Sequence, residues 1–261
     1  MVLLLLIVIG LVLGSFVNAL VWRLHENKNW VSDRSECTHC HHKLGPLDLI
    51  PVVSWVALHG NCRYCHQKIE DSPFTELMLP ALFVISYLCW PVDLAGKGLI
   101  EFVFWLVFLV GFAALIVYDL RWFLLPNKIV FPLVALAVIQ VVVVTVYRHD
   151  VLLLLQAVGG ATAVGGIFYV LFQVSDGAWI GGGDVKLGIV LGLLAGGVIE
   201  GFLVLFAASL AGLMAALPSL LQGKAKRKTQ IPFGPFLILG LVIVQLFGAD
   251  VINWYTGLIY G

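Results

Sequence analysis

Apolar runs long enough to cross a bilayer recur along this chain, and no other feature restricts its fold as tightly. The first extends from Val2 to Val21, and seven more follow near 77–95, 99–118, 128–147, 151–174, 185–199, 201–221 and 233–255, with 185–199 short and Gly-rich. A helix needs about 20 apolar residues to cross the hydrocarbon core, and inside it the backbone must satisfy its own hydrogen bonds. The runs therefore predict an all-α polytopic membrane protein with about eight transmembrane helices. Composition agrees, because 61% of residues are hydrophobic and only 11% charged. That balance leaves no basic footprint for nucleic acid and no acidic disordered tail. No positively charged stretch precedes the first run, so it reads as a retained span rather than a cleaved signal peptide.

Between the first two runs lies the one long polar stretch, residues 25–76, which carries six of the seven histidines and four of the five cysteines. The chain thus divides into a first transmembrane helix (1–24), an extramembrane domain (25–76) and a membrane-embedded domain (77–261). Loops left in the cytoplasm keep an excess of Lys and Arg. With eight spans, thirteen of the fifteen basic residues fall on one side, and only Lys97 and Arg148 on the other. The split predicts a cytoplasmic polar domain and external termini. The basic residues from Lys224 to Lys228 then read as a topology determinant near anionic lipid. Small residues recur at Gly10/Gly14, Gly159/Gly160, Gly165/Gly166 and Gly188/Gly192/Gly196, a pattern expected of close helix packing in a membrane.

Cys37-Thr38-His39-Cys40 and Cys62-Arg63-Tyr64-Cys65 form two CxxC knuckles separated by a 21-residue loop. Two-residue spacing lets both thiolates of a knuckle reach one tetrahedral ion, and four thiolates leave no site for water, so the expected ion is a structural Zn2+ in a small zinc ribbon. Two disulfides are the competing arrangement, which a reducing cytoplasm disfavours. His39, His41, His42 and His66 lie beside a saturated site and read as solvated loop residues. Cys89 reads as a small buried residue within the second span.

Carboxylates beside spans are costly and need a reason. Asp119 follows the third run in Val117-Tyr118-Asp119-Leu120-Arg121, and Asp184 ends Gly181-Gly182-Gly183-Asp184 just before the sixth. Both are expected at the cytoplasmic border, where two intervening spans make a return trip across the bilayer. Two desolvated carboxylates cannot both ionise easily and tend to share a proton. One can then take a proton from water attacking a peptide carbonyl while the other donates to its oxygen. The three glycines would let the backbone approach a peptide closely. Singly, Asp119 could instead pair with Arg121, and Asp184 could be an N-cap. Asp176 is the main rival, although Ser175-Asp176-Gly177 looks like a turn. Glu101 and Glu200 are expected on the external side without a partner there.

Tyr118-Asp119 followed by GGGD at Asp184 resembles the GxGD-type membrane aspartyl proteases, and nearly the whole chain is similar to the type IV prepilin leader peptidase/N-methyltransferase family. Gly14-Ser15-Phe16-Val17-Asn18 with Arg23-Leu24 resembles the opening signature of that family. Arg34-Ser35-x-Cys37-x-x-Cys40, Ile50-Pro51-x-x-Ser54-Trp55, Gly60-x-Cys62-Arg63-x-Cys65 and Glu76 resemble its cytoplasmic zinc domain. Gly182-Gly183-Asp184-Val185-Lys186-Leu187-Gly188 and Pro232-Phe233-Gly234-Pro235 resemble its peptidase core. The resemblance implies a cytoplasmic-membrane enzyme that removes the basic leader of prepilins or pseudopilins with Asp119 and Asp184. Gly181, Gly182, Gly183 and Lys186 would be supporting motif residues. It also implies N-methylation of the new amino terminus by S-adenosylmethionine, an activity to which Gly60 would be linked. Where the family commonly reads Arg-Gly-Lys-Cys, this chain has His59-Gly60-Asn61-Cys62. No GxGxxG fingerprint for a methyl-donor site occurs.

Two other classes of function fit intramembrane acids less well. A transporter or channel would use them for ion binding, and an assembly scaffold would tolerate their replacement by Asn.

Overall fold

The computed structural model describes residues 1–29, 35–69, 72–94, 96–222 and 231–260. Arg34 and the basic residues from Lys224 to Lys228 lie outside the described residues. Each of the eight apolar runs contains a helix: α1 (Val2–His25), α3 (Phe74–Leu88), α4 (Lys97–Trp122), α5 (Asn127–Arg148), α6 (Leu152–Val174), α7 (Gly182–Ala195), α8 (Val198–Leu221) and α9 (Gly234–Tyr260). The polar stretch adds a 3-10 turn (Pro46–Leu49) and the five-residue α2 (Val53–Ala57). Among the described residues the only extended pairing is two isolated bridges.

Six helices, α1, α4, α5, α6, α8 and α9, are long and apolar enough to cross a membrane. The other two fall short of the eight full spans expected. Helices α3 and α7 have 15 and 14 residues, so at 1.5 Å per residue each reaches roughly 20 Å, against a hydrocarbon core of about 30 Å. The run at 77–95 ends early because Pro91 drives Trp90 out of the helical region. Cys89 consequently lies just beyond α3, half-buried, rather than inside a span. Helix α7 begins after Gly181 and stops at Gly196, whose φ of +81° is the left-handed conformation that ends a helix.

The chain packs as two compact units, Met1–Leu88 with Leu106–Val117, and Cys89–Trp105 with Tyr118–Gly261. In the first, α1 packs on α3. A Cβ at Gly10 would lie 2.5 Å from Pro80 Cα, and one at Gly14 would lie 2.6 Å from the Thr75 carbonyl oxygen. These glycines are what lets the two backbones meet.

In the second unit α7 is the hub, packed against α5, α6, α8 and α9. Leu187, Val190 and Leu191 are fully buried there, which explains how so short an apolar helix is accommodated: its neighbours are protein. Gly188 seats the Phe168 ring and Gly192 meets the backbone of Gly160 and Ala161, so these glycines serve close packing, as expected, whereas a Cβ on Gly166 or Gly196 would meet nothing within 4 Å. The outer faces of the long helices present Leu155, Val170, Phe206 and Leu213, an exposed apolar surface that belongs against lipid. Glu101, expected to be alone, forms an ion pair with Arg148 at 2.6 Å.

Candidate active site and metal centre

The two CxxC knuckles fold alike. In the first, Cys37 N–H donates to His42 O (3.0 Å) and His41 N–H to Cys37 O (3.0 Å); in the second, Cys62 N–H donates to Gln67 O (2.8 Å) and His66 N–H to Cys62 O (3.0 Å). His41 and His66 both adopt positive φ, 55° and 57°, which turns the chain directly after each second cysteine. No disulfide joins any of the five cysteines. The ligand atoms of Cys37, Cys40, Cys62 and Cys65 lie within 4.8 Å of one another, and Cys37 Sγ is 3.9 Å from Cys65 Sγ. Tetrahedral metal–sulfur bonds of about 2.3 Å require sulfurs about 3.8 Å apart, so the set fits one ion.

Charge makes the same point. Burial pushes the Cys37 thiol up, but the backbone N–H groups of Cys40 and His39 and the neighbouring thiols bring it to about 6. At Cys65 the Gln67 N–H favours the thiolate, yet burial and the other three cysteines push it up to about 11. Thiolates this close repel one another, and a bound cation relieves that repulsion. The four histidines beside the knuckles are exposed, and His42 stacks on Tyr64 with ring centroids 3.7 Å apart.

Side chains outside the knuckles brace this segment. Asp48 accepts hydrogen bonds from Gly45 N–H (3.1 Å), Arg63 Nε (2.7 Å) and the Tyr64 hydroxyl (3.1 Å). Burial pushes the Asp48 carboxyl up, but these three donors hold it below the usual carboxylate range. Glu76, in the first turn of α3, accepts the Val52 N–H at 2.6 Å, fixing a β-branched residue with φ of 60°. Gly60 is buried with φ of +71° beneath the Trp55 ring, where a Cβ would stand 3.1 Å from the indole.

The carboxylates belong to the second unit. Asp119 sits in the last turns of α4, 5% exposed. Phe123 then leaves the helix in the left-handed conformation, its N–H bonded to Asp119 O, and Leu125-Pro126 leads into α5. The Asp119 carboxylate accepts the Gly234 N–H at 3.1 Å from the first residue of α9. It does not take up the alternative pairing with Arg121, whose guanidinium lies 5.9 Å over the Trp122 ring.

Asp184 is not an N-cap. Gly181 holds that position and Asp184 is three residues inside α7, its N–H bonded to Gly181 O (3.0 Å) and its carboxylate accepting the Gly181 N–H (3.3 Å). Both carboxylates thus meet helix N-termini, where unpaired N–H groups favour negative charge. The same side chain borders both sites: a Cβ on Gly183 would stand 2.8 Å from Leu125 Cβ, and one on Gly234 3.5 Å from Leu125 Cδ2. Each carboxylate has one oxygen hydrogen-bonded by backbone. Asp176 lies in a turn with φ of 48°, as its neighbours suggest. Lys186 Nζ donates to Asn127 Oδ1 at 2.7 Å and lies 5.1 Å over the Phe131 ring.

The sequence alone does not reveal that the Gly234 N–H holds the Asp119 carboxylate or that Asn127 accepts from Lys186. The Pro-Phe-Gly-Pro motif was visible, but its partner lies 115 residues away.

Two family models match the chain: the Bacterial Peptidase A24 N-terminal domain over residues 8–90 and the Type IV leader peptidase family over residues 104–217. Similar proteins named prepilin leader peptidase/N-methyltransferase occur in Bacillus subtilis, 26% identical over 98% of this chain and 98% of the relative, and in Pseudomonas aeruginosa, 29% identical over 95% and 91%. The Vibrio cholerae protein of that name is 31% identical over 91% of this chain and 93% of its own length. No solved structure matches. A helical membrane protein with a four-cysteine cluster, alike over nearly its whole length to such relatives, belongs to the type IV leader peptidase family.

Proposed function

We propose that this protein is an aspartic endopeptidase of the bacterial inner membrane that removes the short basic leader of type IV prepilins or pseudopilins, then N-methylates the exposed amino terminus with S-adenosylmethionine. The observation that carries the reading is the pair Asp119 and Asp184, held at two helix N-termini that both border Leu125.

One carboxylate, ionised, takes a proton from water as the water oxygen attacks the scissile carbonyl carbon. The other, protonated, donates to the carbonyl oxygen, and collapse of the tetrahedral intermediate delivers a proton to the leaving amine. The substrate's apolar helix remains in the membrane, its basic leader remains in the cytoplasm, and the bond between them falls at the border where the aspartates sit. Segment 77–261 supplies this chemistry, 1–24 is the first transmembrane helix, and 25–76 is a cytoplasmic domain built on structural Zn2+ held by Cys37, Cys40, Cys62 and Cys65. Both termini are external. Methylation rests on the names of the relatives and on Gly60, with His59 and Asn61 beside it in place of the family's basic residues.

Intact-mass analysis of a prepilin incubated with the purified enzyme and S-adenosylmethionine tests this. Wild type should release the leader and add one methyl to the shortened product, and Asp119→Asn and Asp184→Asn should each leave the prepilin whole. Cleavage without methylation would remove the second activity. No cleavage of any prepilin from the same cell would overturn the peptidase.

A further inference from the structure

The third glycine of GGGD has its space already filled. A Cβ on Gly183 would stand 2.8 Å from Leu125 Cβ and 3.3 Å from Leu125 Cδ1, so this side chain lies directly on the residue preceding Asp184. The other branch of the same leucine reaches the opposite carboxylate's support. A Cβ on Gly234 would lie 3.5 Å from Leu125 Cδ2 and 2.7 Å from Asp119 Oδ2, and the Gly234 N–H holds that carboxylate. One leucine therefore touches the backbone that carries Asp184 and the backbone that holds Asp119.

Its segment is fastened independently. Asn127, two residues on, accepts the Lys186 ammonium at 2.7 Å, and Lys186 lies two residues beyond Asp184 on the first turns of α7. The ammonium also lies over Phe131 in α5, so the clamp joins the starts of α5 and α7. Pro126 restricts the backbone between Leu125 and Asn127. We propose that Leu125 is the spacer that fixes the separation of the Asp119 and Asp184 carboxylates, and that the Lys186–Asn127 clamp keeps it seated. Leu125 and Lys186 are positioning residues, and the proposal rests on the catalytic pair assigned above.

Two carboxylates that must serve one water depend steeply on their separation, since displacement by about 1 Å can cost ~100-fold in rate. Their mutual repulsion, which separates the two apparent titration steps in a pH–rate profile, depends on the same distance. The test compares kcat, KM and the pH profile of kcat/KM for leader removal by full-length wild type, Leu125→Ala, Leu125→Met and Lys186→Met, with Asp119→Asn and Asp184→Asn alongside. Leu125→Ala should lower kcat by roughly 10- to 100-fold, leave KM within about twofold, and change the spacing of the two apparent pKa values. Leu125→Met, which keeps most of the volume, should restore kcat to within about threefold, and Lys186→Met should fall between the two.

A Leu125→Ala enzyme with wild-type kcat, or one slowed with an unmoved pH profile, would overturn the spacer while the inactive Asn variants leave the peptidase standing. Full cleavage by either Asn variant would overturn the catalytic pair, and the spacer with it.

Discussion

Replacing Gly234 by alanine places one methyl group against the Asp119 carboxylate and changes no charge. The new Cβ would stand 2.7 Å from Asp119 Oδ2, where 3.4 Å is an ordinary approach, so the two must part by about 0.7 Å. Leu125 Cδ2 at 3.5 Å closes the other side, which leaves movement of the carboxylate or the start of α9 as the relief. Either movement lengthens the 3.1 Å bond from the Gly234 N–H beyond the hydrogen-bond range. A hydrogen bond to a charged group contributes about 1.5–3 kcal/mol. If it is needed to hold the carboxylate in the reacting geometry, kcat/KM for leader removal should fall about 10- to 150-fold. Initial rates by mass spectrometry on purified full-length protein would measure this, with thermal unfolding confirming that the bundle is intact. Gly166→Ala is the matched control, because a Cβ there meets nothing within 4 Å, and its rate should equal wild type. A Gly234→Ala enzyme within about threefold of wild type would refute the claim that this backbone donor orients Asp119.

Three further outcomes follow from the geometry of the first unit. Cys37→Ser or Cys62→Ser should lose the bound zinc by elemental analysis, and chelation should make residues 35–69 cleavable by protease; unchanged zinc content would remove the four-cysteine site. Gly14→Ala, whose methyl would meet Thr75 O at 2.6 Å and Glu76 Cα at 2.7 Å, should cost about 1–3 kcal/mol through forced separation of α1 and α3, read as a lower unfolding midpoint than that of Gly166→Ala. The hydrogen bond to Asp48, with burial and the Asp48 charge added to it and the Arg63 charge opposing, raises the Tyr64 hydroxyl above its ordinary 10. A raised folded value means this contact stabilises the fold below about pH 10 and is lost as pH climbs through the folded pKa. Asp48→Asn should therefore lower the pH at which Tyr64 ionises, measured as the absorbance titration missing from a Tyr64→Phe control.

The sequence displayed the parts of this molecule that depend on composition and local spacing. Eight apolar runs became eight helices, and the CxxC pairs met because two-residue spacing makes each knuckle a local structure. Helix length was less legible, since hydropathy continues through Trp90-Pro91 where backbone sterics do not, and since burial by four neighbours makes α7 as apolar as a lipid-facing helix. Asp119 and Asp184 stood out because charge is rare at such positions. Leu125 did not, being one more leucine between Leu124 and Pro126. Its importance arises from what Gly183 and Gly234 lack, and only tertiary contact reveals it. Asp48 was overlooked for a related reason, because a turn acid usually caps its own turn, whereas this one also gathers Arg63 and Tyr64 from the second knuckle.

The contact of Gly14 with Thr75 and Glu76 also has an architectural consequence. The middle of α1 and the first turn of α3 are already in touch, so the last turns of α1 and the cysteine segment form one excursion whose ends are tied together by helices as well as by its own fold. A loop with pinned ends can be lengthened at small entropic cost, each doubling adding about 0.6 kcal/mol, and insertions succeed where the chain's exit and entry lie close. The α1–α3 joint thereby holds the ends of the metal-binding segment together, and lengthening its turns away from the Glu76–Val52 hydrogen bond leaves the packing of the two helices in place.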